Sequence, residues 1–120
     1  MASRAGGSAS AASPGSFPPV TKAGVPAAFP RAGARKAIDN ERVFEWDYTW
    51  TSGRPVGQHI HERDSVEVFF DPGTIRYRTA DGTDDTKTFK RKDARFVPRG
   101  TVDTEQAVTG SPRAVIVELK

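Results

Sequence analysis

The sequence predicts an all-β domain, an antiparallel sandwich or barrel, and three observations carry that expectation. First, apolar and polar residues alternate in short runs. From Val43 to Trp50 the residues Phe44, Trp46, Tyr48 and Trp50 share one parity, and Val43, Glu45, Asp47 and Thr49 the other. Second, turn signals interrupt these runs closely: Ser52-Gly53, Asp71-Pro72-Gly73, Asp81-Gly82, Pro98-Arg99-Gly100 and Thr109-Gly110-Ser111-Pro112. Third, no stretch carries the apolar period of a helix. Many short strands between turns favour closed sheets, and closure removes the bare edges that would pair with other chains.

Taken in order, the strands are expected at Val43–Trp50, Pro55–His61, Ser65–Phe70, Thr74–Ala80, Asp85–Lys90, Ala94–Val97, Thr104–Val108 and Arg113–Leu119. The chain before them has a different texture. Met1 to about Arg35 is rich in Ala, Gly, Ser and Pro, with Phe17 and Phe29 as its large apolar side chains. Such a composition buries too little apolar surface to offset its own ordering entropy. Residues 1–37 are therefore expected to form a flexible arm, or an arm docking on a partner subunit through the two Phe, and residues 38–120 the β-domain.

The chain has 120 residues and a net charge of +3, and the positive charge is uneven. Residues 1–36 carry Arg4, Lys22, Arg31, Arg35 and Lys36 and no acid, whereas the remainder holds more acids than bases. A nucleic-acid binder places its basic patch on the folded face, so nucleic acid is not an expected partner. No apolar run approaches the ~20 residues of a membrane-spanning helix, and Met1 to Gly15 lacks the apolar core of a secretory signal. A cytoplasmic protein is the expectation. With no cysteine, any metal must be held by His and carboxylates.

The segment Gly57-Gln58-His59-Ile60-His61 contains the chain's two histidines, at i and i+2. On a strand these rings project from one face, which suits two ligands to one metal and equally a pair of polar residues lining a barrel mouth. Downstream stand Glu67 and Asp103. The carboxylate of Glu67 reads either as a ligand or as a cross-strand partner of Arg76 or Arg78. That of Asp103 reads either as a ligand or as a turn residue capping a local amide. Trp46, Tyr48, Trp50, Phe69 and Phe70 at strand spacing read as core or subunit face before ligand pocket. Lys90-Arg91-Lys92 reads as a solvated turn. Ser16, Ser52 and Ser65 lack a nucleophile-elbow context, and no glycine-rich loop opens a helix, so hydrolase triads and nucleotide cradles find no support.

The run Gly53 to Gly73 resembles the first motif of the cupins: a glycine, H-x-H, an acidic residue, then a second glycine. Asp93 to Asp103, with Pro98-Arg99-Gly100, resembles the second motif, in which P-x-G precedes a histidine by three residues. Arg113 to Leu119 is similar to the last strand of many small bacterial cupins. The resemblance covers about residues 38–120. It implies an antiparallel double-stranded β-helix, or jelly-roll barrel, often a homodimer, with a divalent metal (Fe, Mn, Ni or Zn) in its mouth. Carried over residue by residue, His59 and His61 match the two histidine ligands. The acidic ligand falls near Ser65 or Val66, neither a carboxylate, with Glu67 within reach of a shifted register. The last histidine falls at Asp103, an oxygen donor in place of nitrogen. Gln58 or Glu105 could support the ligands from behind.

Two functions follow from the resemblance. One is a metal-dependent enzyme of the dioxygenase or isomerase type acting on a small polar molecule, with His59, His61, Asp103 and Glu67 as candidate ligands. The other is a non-catalytic barrel that binds a small ligand and has a degenerate metal site.

Overall fold

The computed structural model of the chain describes residues 17–120. Residues 1–16, and with them part of the expected arm, lie outside the described residues. Seven strands follow one another: β1 (Arg35–Asp39), β2 (Val43–Thr49), β3 (Val56–Ile60), β4 (Ser65–Thr79), β5 (Asp84–Phe89), β6 (Ala94–Val97) and β7 (Val102–Leu119). All pairings between them are antiparallel, and no helix occurs among the described residues. None is therefore long and apolar enough to cross a membrane.

Strands β4 and β7 organise the molecule, because each serves two layers. The first half of β4 pairs with β6 and with the second half of β7, which continues to β2 and β1. The second half of β4 pairs with β5 and with the first half of β7, which continues to β3. The two long strands bend together between the layers, and the inward side chains of both halves share one interior. Trp46, Trp50, Phe69, Ile75, Phe89, Ala114 and Ile116 are buried there. Phe69 stacks on Phe89 with ring centroids 3.9 Å apart, and Trp50 packs on Phe69 at 5.7 Å.

The bends correct two sequence expectations. Asp71-Pro72-Gly73 and Thr109-Gly110-Ser111-Pro112 were expected as turns between separate strands, and each instead lies inside one continuous strand. The register of β4 on β7 slips between Phe69 and Gly73, which supplies curvature without ending the pairing. Glycine is required for this nesting. A Cβ on Gly73 would lie 2.5 Å from Cδ of Pro112 and 2.8 Å from the Thr109 carbonyl oxygen. Opposite it, Gly110 takes a φ of +69°.

β1 was not expected. Its side chains are all exposed, so no apolar alternation announced it. Asn40 makes the hairpin to β2 by accepting the amides of Arg42 and Val43 at its side-chain oxygen.

Packing does not divide the described residues at position 37. The Ala28 amide donates to the Ile60 carbonyl and the Ile60 amide to that of Pro26. Phe29 stacks on Trp46 at 5.4 Å, so it anchors this segment in its own core rather than offering itself to a partner. Arg31 lies over the Phe29 and Tyr48 rings, 4.2 and 4.8 Å from their centroids. Among the aromatics read as core, Trp46, Tyr48, Trp50 and Phe69 are buried, while Phe70 is 40% exposed on the outer face.

Candidate metal centre

Strand pairing places His59 directly opposite Asp103. Two residues further on each strand, period two keeps His61 and Glu105 on the same inward face. His61 lies just past the end of β3 and is held there by the Pro98-Arg99-Gly100 turn. Its amide donates to the Thr101 carbonyl, and the His61 carbonyl accepts from the Gly100 amide. One donor atom from each of His59, His61, Asp103 and Glu105 lies within 4.8 Å of the others, and all four residues are buried.

Orientation is set by bonds behind the donors. The Nδ1 of His59 donates to the Gly57 carbonyl at 2.7 Å, which turns Nε2 toward the group. Glu105 is fixed still more firmly. Its Oε1 accepts from the Arg31 guanidinium at 2.9 Å and from the Trp50 indole at 2.8 Å, leaving Oε2 2.9 Å from His59 Nε2. Arg31 also lines a cavity of about 300 Å³ together with Tyr48, Arg54 and Val56. Gln58 is exposed and supports nothing here.

Glu67 takes a different place. It is buried, stands opposite Arg95 and lies 3.4 Å from that guanidinium, outside the four-donor group. Arg76 and Arg78, its expected partners, point to the outer face and bind Gln106 and Asp84 instead. Asp103 does not cap a turn; Asp64 does, accepting the Arg99 amide at 2.8 Å. Ser65, where the family resemblance puts a carboxylate, is buried, and its hydroxyl finds no hydrogen-bond partner.

The electrostatics are those of a buried charge cluster. Burial alone would raise Glu105, but Arg31 and the two imidazoles override it and hold the carboxyl well below the ordinary range. Burial and the neighbouring Glu105 push Glu67 the other way, up to about 7. Burial opposes charge on His59, yet the carboxylates of Asp103 and Glu105 outweigh it and raise the imidazole to about 9. His61 is raised by the same carboxylates against the same burial.

The donor set fits a divalent cation. His61 Nε2 and Asp103 Oδ1 are buried, only 3.4 Å apart, and neither makes a hydrogen bond. Asp103 Oδ1 is also 3.0 Å from His59 Nε2 without forming one. Lone pairs facing one another at these distances repel unless a proton or a cation lies between them. Two imidazoles and two carboxylates are donors that Fe, Mn, Ni and Zn accept.

No family model matches the sequence, and no curated protein matches it. Solved structures do. The chain resembles a cupin domain from Bordetella pertussis Tohama I at 28% identity, covering 77% of this chain and 98% of that one with a TM-score of 0.63. This is a small cupin-superfamily protein. Two more distant likenesses agree on the fold. An RmlC-like cupin family protein with a double-stranded β-helix fold from Methanocaldococcus jannaschii is 14% identical, covering 72% of this chain and 77% of that one, with a TM-score of 0.60. A cupin superfamily protein from Desulfitobacterium hafniense is 15% identical, with 72% and 74% covered and a TM-score of 0.57.

In this cupin Glu105, and not a residue near Ser65, brings the second carboxylate to the two histidines and Asp103. A signal for it was present. Asp103-Thr104-Glu105 repeats on β7 the i, i+2 spacing of the two histidines, and only the pairing of β3 with β7 brings the couples together.

Proposed function

We propose that this cupin holds one divalent metal ion on His59, His61, Asp103 and Glu105 and acts as a metal-dependent enzyme on a small polar molecule inside the barrel. The observation that carries the reading is the pair of unpartnered buried atoms, His61 Nε2 and Asp103 Oδ1, facing one another among four donors. Glu67 is left out of the ligand set because its carboxylate faces Arg95. When bound, the ion would supply Lewis-acid or redox chemistry of the kind used in isomerase and dioxygenase reactions.

The chain's own residues do the positioning. Gly57 fixes the His59 tautomer, Arg31 and Trp50 hold Glu105, and the aromatic wall of Trp50 and Phe69 excludes water. With four protein donors, an octahedral ion would keep positions open for substrate. The same reading assigns the protein to the cytoplasm, as the sequence led us to expect, and to a homodimer. The dimer is supported by an apolar outer face: Val66 lies between Phe96 and Val117, Val68 lies between Ala94 and Val115, and Phe96 is 57% exposed.

Elemental analysis of protein purified without chelator or affinity tag, beside the His59→Ala/His61→Ala double variant, tests the metal. Near-stoichiometric metal in the first and none in the second is expected. Substoichiometric metal in both would leave a non-catalytic ligand-binding barrel as the better reading.

A further inference from the structure

Beyond the four donors, the interior contains polar groups that neither the fold nor a metal uses. The Tyr77 hydroxyl and the Ser65 hydroxyl are buried and make no hydrogen bond. Burying a hydroxyl with no partner is unfavourable, so such groups mark places where water or a ligand belongs. Beside Tyr77 stands Arg95, on β6. Its guanidinium stacks on the Tyr77 ring 3.9 Å from the centroid. It lies 3.4 Å from Glu67 and 3.9 Å from Asp103, both long for a charge-assisted hydrogen bond.

Its surroundings hold Arg95 in place without satisfying it. The Arg95 side chain is also 15% exposed, whereas those of His59, His61, Asp103, Glu105 and Glu67 are at most 3% exposed. The guanidinium is thus more open to solvent than any of these groups, and more open than Arg31 at 8%.

Charge balance indicates the sign of what would bind. Around the metal group, the three carboxylates of Glu67, Asp103 and Glu105 face the two guanidiniums of Arg31 and Arg95. Glu118 is held separately, its Oε1 accepting from the Trp46 indole at 2.7 Å. With a divalent ion held by neutral imidazoles and the three carboxylates ionised, the group carries one net positive charge. A monoanion then makes the interior neutral, and a neutral interior is the cheapest to bury.

We infer that the substrate of this site is a small monocarboxylate, anchored by the Arg95 guanidinium and the Tyr77 hydroxyl beside the metal ligands. The inference rests on the proposed metal reading and adds the substrate class to it. The planar fork of an arginine matches a carboxylate in two-point contact. The Tyr77 hydroxyl gains the acceptor it lacks. Arg95 and Tyr77 are positioning residues: they bind and orient the carboxylate and take no part in bond-making.

The test is calorimetric titration of acetate into the Zn-loaded protein, with acetamide and inorganic phosphate as controls. Wild type, Tyr77→Phe and Arg95→Gln are compared, and their zinc content is measured alongside. The expected result is that acetate binds while acetamide, equal in shape but neutral, does not. Phosphate should bind more weakly than acetate. Tyr77→Phe should weaken acetate about fivefold and Arg95→Gln about tenfold or more, as losses of a neutral and a charged donor. Zinc stoichiometry should stay unchanged in both variants, which also reports that each is folded.

Zinc uptake with no acetate binding, or with acetate binding unchanged in Tyr77→Phe and Arg95→Gln, overturns this inference and leaves the metal reading standing. Equal or tighter binding of phosphate overturns the monocarboxylate class. Failure of the wild type to take up zinc or any other divalent ion overturns the metal reading and, with it, the charge balance used here.

Discussion

Glu105 decides most at the scale of the residue. One of its oxygens is saturated by Arg31 and Trp50, and the other is presented to the histidines. The two buried glutamates therefore have different expected phenotypes. Glu105→Gln should weaken metal at least about tenfold, because a charged donor is lost. It should also cost about 3 kcal/mol of metal-free stability, because the buried Arg31 guanidinium is left unpaired. Glu67→Gln should keep its metal. Dye competition for metal and urea unfolding read both effects, and the reverse pattern would show that Glu67 is the ligand and Glu105 the support. The His59 and His61 spacing was legible in the sequence because period two acts within one strand. Glu105 was read as a support at most, since its contact with His59 crosses 46 positions and exists only after β3 and β7 pair.

The element scale is governed by the bends of β4 and β7. Gly73→Ala forces a methyl group into Pro112 and the Thr109 carbonyl. The expected cost is about 3 kcal/mol, seen as a fall in Tm of at least about 10 °C. A change of a degree or two would show that the nesting is not tight. The pairing of β2 with β7 is tied at the surface by Arg113, which donates to both oxygens of Asp47 at 3.0 and 2.7 Å. Those bonds lower the Asp47 carboxyl below its ordinary 3.8, against the small opposing effect of burial. A lowered folded-state value means the stabilisation is complete above the unfolded value and is lost as pH falls through the folded one. Asp47→Asn should therefore be less stable than wild type by up to about 1 kcal/mol from pH 8 to 5. The gap should begin to narrow below about pH 3.8 and close only once pH falls past the lowered folded-state value, and a gap that does not narrow as pH falls would assign the loss to packing rather than charge.

At the scale of the whole molecule, the apolar outer face of β4, β6 and β7 is the feature the interior does not explain. Exposed apolar residues on neighbouring strands are a common mark of association. In sedimentation analysis Phe96→Glu should convert a dimer into a monomer with the interior intact. A wild-type monomer, or a variant that stays dimeric, would remove this face as the interface.

Alternation and turn signals are local, so the sequence by itself determined an all-β chain, its inward parity and the two histidines of the site. Whether a proline-glycine step ends a strand or bends it depends on what packs against it, and Pro112 and Gly110 were out of reach of any local reading of Gly73. The same holds for residues 17–34. Their composition reads as loose, yet Phe29 and Arg31 find partners in Trp46 and Glu105 that only the closed barrel supplies. Tertiary structure alone decided which carboxylates meet the histidines, because the charge and burial that separate Glu105 from Glu67 come from residues distant in sequence.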